Sequence, residues 1–214
     1  MSFRKLALPM MILALAGCSR EGELNVAGGV GITTLRSPCP HVAVPAATGD
    51  VTLFDPPAGR TAEAIDVVAV LTNLKSTCDD ATDQVLTSVT FDVQARRASA
   101  EGARDVRVPY FVTLVRAGNS VVAKRIGHVN LHFEPGQLRA SASGQGSTAV
   151  SRAAATLPAD VRERLTRKRK AGDEAAAMDP LSDPAIRASV LSASFETLVG
   201  FQLTDDQLRY NATR

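Results

Sequence analysis

The chain predicts a mainly β fold, a sandwich of two sheets with a helical insertion before the last strand, and three observations carry that prediction. Between Cys39 and Glu134 apolar residues recur with a period near two, in runs separated by turn residues at roughly ten-residue spacing. After Pro135-Gly136 that period disappears, and proline-led segments of helical character occupy residues 157–193. Phe195, Thr197, Val199, Phe201 and Leu203 then restore the strand period by alternating with Glu196, Leu198 and Gln202.

Residues 42–44 and 51–54 read as short strands, and residues 64–73 as a longer one with Ile65, Val67, Ala69 and Leu71 on one face. Val85, Thr87, Val89, Phe91 and Val93 alternate with Ser88, Thr90, Asp92 and Gln94, as in an antiparallel strand with one wet face. Residues 106–115, including Tyr110, Phe111, Val112 and Leu114, are apolar on both faces, which predicts a central strand. Gly118-Asn119 supplies the positive backbone dihedrals of a hairpin into a strand over residues 121–133. Residues 140–149 are almost wholly Ser, Ala, Gly, Gln and Thr, too poor in apolar bulk to form core, and read as a loop or a weak edge strand.

Pro158 suits a first helical turn, so residues 159–170 read as helix with Val161 and Leu165 as its few apolar contacts. Ser182 or Asp183, followed by Pro184, caps a second helix running through Ile186, Val190 and Leu191. Thr204-Asp205-Asp206-Gln207 is a capping-box pattern that predicts a short helix through Tyr210. Short strands and turns in this order predict an immunoglobulin-like or fibronectin-like β-sandwich, with a small β-barrel as the alternative. The chain has no Trp, so the likeness is at the level of fold and not of the antibody-type core built on a Trp and an inter-sheet bridge.

The N-terminal segment carries basic Arg4 and Lys5, an apolar run over residues 6–16 and small residues at its end, the three parts of a secretory signal in order. Eleven helical residues cover about 16 Å, roughly half of a ~30 Å hydrocarbon core, so the run is a signal and not a stable span. It closes on Leu15-Ala16-Gly17-Cys18, which resembles the lipobox of bacterial lipoproteins. The resemblance implies a diacylglyceryl group on the Cys18 thiol, cleavage between Gly17 and Cys18, and acylation of the new amino group, palmitate being the expected chain. One acyl chain holds only marginally and two or three hold firmly, so a lipidated Cys18 means lasting attachment. In that family an Asp after the cysteine often retains the protein in the inner membrane. Ser19 follows here, which favours the outer membrane on its periplasmic side.

The expected organisation is therefore a signal peptide over residues 1–17, a flexible tether over 18–37 and a sandwich domain over 38–214 with its helical insertion at 157–193. Gly22, Gly28, Gly29 and Gly31 lie among small and polar residues of the tether, and a coil of that length reaches about 25 Å on average. Removing Arg4 and Lys5 with the signal leaves 22 basic against 22 acidic side chains, so global charge gives no argument for nucleic acid. Aromatic content of 4% is poor for a base-stacking or carbohydrate platform.

Of three cysteines, Cys18 is taken by lipid, and Cys39 and Cys78 remain as an even pair in an exported, oxidising compartment, which predicts a disulfide between them. Loop-closure entropy makes such a bridge worth roughly 4 kcal/mol. A metal or redox site is the competing reading, with Cys39-Pro40-His41 its only local hint; two distant cysteines and one histidine make no zinc pattern.

No catalytic constellation emerges. His128 and His132 alternate with Val129, Leu131 and Phe133, so they share a strand face about 13 Å apart, too far to hold one metal. No serine lies in a Gly-x-Ser-x-Gly elbow. Asp79-Asp80 beside Cys78 reads as a pair of solvated turn acids. The least generic feature is the run Arg162, Arg164, Arg167, Lys168, Arg169 and Lys170, either a solvated helix face or a contact with an anionic surface, lipid headgroups or an acidic partner. No cofactor is expected. The expected function is a membrane-anchored envelope lipoprotein acting as a non-catalytic binding or structural module toward another envelope component; the alternative is an envelope hydrolase with a site of dispersed residues.

Beyond the lipobox, the Cys39-Pro40 start, the Pro109-Tyr110-Phe111-Val112 strand and the Gly200-Phe201-Gln202-Leu203-Thr204 ending followed by Gln207-Leu208 resemble a group of uncharacterised lipoproteins of alphaproteobacteria. The resemblance covers most of the mature chain, implies no activity, and sets residues 157–193 apart as an insertion.

Overall fold

The computed structural model describes residues 37–170, 172, 174 and 178–213. The segments expected to be signal and tether, up to residue 36 and with Cys18 among them, lie outside the described residues. Eight strands form two four-stranded sheets. One has the order β1 (His41–Ala43), β8 (Phe195–Phe201), β5 (Arg104–Arg116), β6 (Ser120–Phe133); the other has the order β2 (Asp50–Phe54), β3 (Ile65–Asp79), β4 (Gln84–Arg97), β7 (Arg139–Ser151). β1 runs parallel to β8 and every other pair is antiparallel. Helices α1 (Arg152–Ala155), α2 (Ala159–Thr166) and α3 (Pro184–Ser192) lie between β7 and β8, and α4 (Asp205–Thr213) follows β8.

The two-residue period settles which side chains go inside. Val85, Thr87, Val89, Phe91 and Val93 of β4 are buried and their alternates are not. β5 sits between β6 and β8 and buries Thr113 and Val115 on its second face, as a central strand does. The inner faces meet in one core around Val67, Val93, Val129, Leu131, Phe133 and Val199, with a smaller cluster of Val85, Leu114, Val150, Ala155 and Phe195 at one end.

Four details depart from the sequence reading. First, β3 runs past residue 73 to Asp79: Asn73 takes φ 52°, the register slips between Thr72 and Lys75, and Asn73 Nδ2 donates to Asp92 at 2.7 Å, so pairing with β4 resumes. Cys78 therefore lies within β3, and not in the turn after it. The Cys39–Cys78 disulfide, Cα–Cα 6.1 Å, links the segment ahead of β1 in one sheet to the far half of β3 in the other. Second, the β5–β6 turn takes its positive φ at Ala117 (56°) and Gly118 (78°), one residue earlier than the Gly118-Asn119 pair.

Third, residues 140–149 take the edge-strand alternative and not the loop, and they do reach the core. They belong to β7, a full edge strand paired with β4 from Arg96↔Arg139 to Gln84↔Ser151. Its small residues make room for large neighbours: a Cβ at Gly144 would collide with the Phe91 ring, and one at Gly146 with Val112. Fourth, α2 stops at Thr166. Continuing through residues 167–170 would stack four cations on one turn with no apolar side chain to bury. The chain leaves the helix instead, and Arg169 donates to the Met178 carbonyl at 2.8 Å. The other helix starts follow their sequence signals. Asp183 accepts from the Ala185 and Ile186 N–H groups, with Pro184 at the first turn of α3. Thr204 and Gln207 exchange reciprocal backbone-to-side-chain bonds of 2.9 and 3.2 Å at the start of α4.

The end of the sandwich away from the disulfide is closed by a buried cation. Arg97, 2% exposed, directs its guanidinium at backbone carbonyls. Its guanidinium donates to the carbonyls of Ala100 and Gly102 in the β4–β5 loop and of Glu134 and Gln137 in the β6–β7 loop at 2.8–3.1 Å, over the Phe133 ring at 5.2 Å. Charge-assisted bonds to carbonyls offset the desolvation of the cation and fix both loops. Arg104 and Asp66 form a two-pronged ion pair between the sheets nearby, at 2.6 and 2.7 Å. Replacing Arg97 with Leu strands these carbonyls, so urea unfolding is expected to show a loss of about 3 kcal/mol, whereas Arg96→Ala next door costs under about 0.5 kcal/mol. Equal, small losses for both variants would contradict this role.

Candidate functional site

The most distinctive chemistry sits at the disulfide end, where β7 hands over to the helices. Ser151 ends β7 and accepts from the Ala154 N–H, starting α1. Ala155 then packs into the end cluster with Val85, Leu114, Val150 and Phe195, against which Cys39 also rests. Pro158, at φ −50°, redirects the chain into α2, whose Val161 is its one buried residue. α3 returns the chain to this end, burying Ile186, and the Ser192 carbonyl accepts from Arg116 Nε at 2.6 Å.

α2 and α3 are tied by an ion pair. Arg164 donates to Asp183 Oδ2 at 2.6 Å while Asp183 Oδ1 caps α3. The Arg164 hydrogen bond first, and the Ala185 N–H second, hold the Asp183 carboxyl below its ordinary pKa. Arg167 reaches Glu163 at 3.6 Å, one helical turn earlier. Arg164, Arg167 and Arg169 line a cleft of about 470 Å³ completed by Met178, Asp183 and Ile186. Arg162 and Lys168 are exposed and form no ion pair among the described residues. The structure thus gathers Arg164, Arg167 and Arg169 around one cleft. The sequence signals Asp183 as a cap, but its pairing with Arg164, 19 residues away, and the contribution of Met178 need the folded arrangement.

The histidines lie on another surface. His128 and His132 both stand on exposed positions of β6, opposite Pro109 and Asp105. His132 Nδ1 meets Asp105 Oδ1 at 2.7 Å and its Nε2 lies 3.4 Å from Glu134. Among the described residues no group of three or more His, Cys, Asp and Glu is placed to hold a metal ion. Asp79 accepts from the Ala81 N–H at 3.0 Å, the work of a turn acid. A third surface feature is the junction of α4 with β2: Tyr210 meets Phe54 edge-on at 5.1 Å, and Asn211 donates to the Ala47 and Asp50 carbonyls at 2.9 and 2.8 Å. No helix among the described residues is long and apolar enough to cross a membrane.

No protein-family model, no curated protein and no solved structure matches this chain.

The hydrogen bond and charge of Asp105, with a lesser part from Glu134, raise the His132 pKa above its ordinary value. Folding therefore favours protonated His132; that contribution is fully present below about pH 6.5 and fades as the pH rises through the folded value. Following the His132 ring by NMR titration, Asp105→Asn is expected to bring the midpoint back toward the ordinary value. An unchanged midpoint would remove Asp105 as the cause.

Proposed function

We propose that this chain is a lipid-anchored envelope protein, held by acyl chains on Cys18 in the outer membrane and facing the periplasm, whose sandwich is a non-catalytic binding or structural module for another envelope component. The observation that carries the reading is the division of the three cysteines. Cys39 and Cys78 are bridged across the sheets, which suits an oxidising compartment, and the remaining Cys18 stands at the end of a basic-apolar-small signal pattern. Ser19 after Cys18 supports the outer-membrane address. Two four-stranded sheets with a first strand parallel to the last support grouping the fold with immunoglobulin-like sandwiches, with residues 157–193 as an insertion into that frame. Near-balanced charge and few aromatics in the mature chain speak for a protein or lipid contact over a nucleic acid.

Changing Cys18 to Ser and fractionating cells grown with a labelled palmitate analogue tests this. The expected result is loss of label, accumulation of the unprocessed chain and loss of stable membrane association of the mature form. A Cys18→Ser protein that is processed and retained in membranes as before would overturn the reading.

A further inference from the structure

We propose that the basic segment 162–170 docks on the anionic phospholipid headgroups of the same bilayer that holds the Cys18 anchor; this rests on the lipid-anchor reading. Two independent features meet here, the point where the tether joins the domain and the place where positive charge collects.

The tether joins at the helical end. Residues 19–36 connect Cys18 to Ser37, and Cys39 is bridged to Cys78 and packed against Val85, Leu114, Val150, Ala155 and Phe195, the cluster from which α1 departs. A link of 18 residues taken at coil statistics spans about 23 Å on average. The 15 residues of β3 span about 50 Å along the sandwich. The Arg97 end therefore stands beyond the mean reach of the tether, and the end bearing α1–α3 is the one that meets the membrane.

Charge at that end is concentrated in one segment. Arg162, Arg164, Arg167, Lys168, Arg169 and Lys170 are countered within it by Glu163 alone. Arg162 and Lys168 form no ion pair among the described residues, and Arg169 bonds a neutral carbonyl, so its charge is not cancelled. Arg164, Arg167 and Arg169 line the 470 Å³ cleft together with Asp179, Asp183 and Ile186, so three cations stand against two carboxylates there. Met178, 62% exposed on the rim, is an apolar side chain free to enter the interfacial layer. Asp79 at the end of β3, Asp80 and Asp83 in the turn after it, and Asp160, Asp179 and Asp183 of the helical segment share this end, so its summed charge is small. The attraction is local to the segment, acts within a Debye length of about 10 Å at moderate salt, and needs the anchor to bring it there.

Trypsin reads the contact directly, because the segment is its own substrate. The lipid-bearing full-length mature protein, purified from membranes, is placed in phosphatidylethanolamine vesicles with or without phosphatidylglycerol, floated, and digested briefly. Cleavage after Arg162, Arg167 and Lys168 is expected to slow about tenfold in the anionic vesicles and to recover at high salt, while cleavage after Arg60 in the loop before β3 stays the same. An Arg162→Gln/Lys168→Gln variant should lose most of the protection at Arg167. Equal cleavage of the segment in both vesicles, on protein that floats, overturns the docking and leaves the anchor standing; equal slowing at Arg60 overturns it as well. Protein that does not float with either vesicle overturns the anchor and the docking together.

Discussion

The structure turns on a pair of aromatic rings laid over two glycines. A sandwich needs side chains that fill a gap of about 10 Å between its sheets, and the inner faces here are mostly valine and alanine. Phe91 of β4 and Tyr110 of β5 close the gap. Each ring lies across a glycine on the neighbouring strand of its own sheet, Phe91 over Gly144 and Tyr110 over Gly127, where any Cβ would collide with it. The rings meet edge to face at 4.9 Å, and the Tyr110 hydroxyl donates to the Gln145 carbonyl of the opposite sheet at 2.6 Å. This contact fixes the registers β4–β7 and β5–β6 at once, since a slip of one residue would place Ser143 or Gln145, and Ile126 or His128, under the rings.

Around that centre the two ends are closed by different chemistry. Arg97 seals one by binding loop carbonyls, and the disulfide with its apolar cluster seals the other. The sheet edges are handled separately: α4 covers β2 and bonds the carbonyls of Ala47 and Asp50, and β6 interrupts exposed Val121, Val122 and Ile126 with Lys124 and Arg125. The helical segment that bears the arginine-lined cleft is thus mounted on a cross-linked end, which holds α2 and α3 at a set place relative to Cys39.

Local signals were readable in the sequence wherever they act locally. The alternation in β4, the doubly apolar β5, the Asp183-Pro184 cap and the Thr204–Gln207 box each depend on residues a few positions apart, and the structure has them. The pairing of Cys39 with Cys78 followed from counting. What escaped depends on distant partners. β7 looks unfit for a core until Phe91 and Val112 are seen to occupy the space its glycines leave. Arg97 has the sequence context of any exposed strand cation, and only the β6–β7 loop 37 to 40 residues later, closing over the β4–β5 loop, shows why it is buried. In the candidate site the charge of residues 162–170 was plain, but the stop of α2 at Thr166 and the Arg164–Asp183 tie that shape the cleft were not.

A double-mutant cycle on Tyr110 and Gly127 tests the dependence on the rings most directly. With Tyr110 present, Gly127→Ala forces the ring aside and is expected to cost about 1–3 kcal/mol in urea unfolding. In a Tyr110→Leu background the methyl meets a shorter side chain, and the strand gains the roughly 0.5–1 kcal/mol that alanine holds over glycine. The account predicts that the effect of Gly127→Ala changes sign between the two backgrounds; the same cost in both would contradict it.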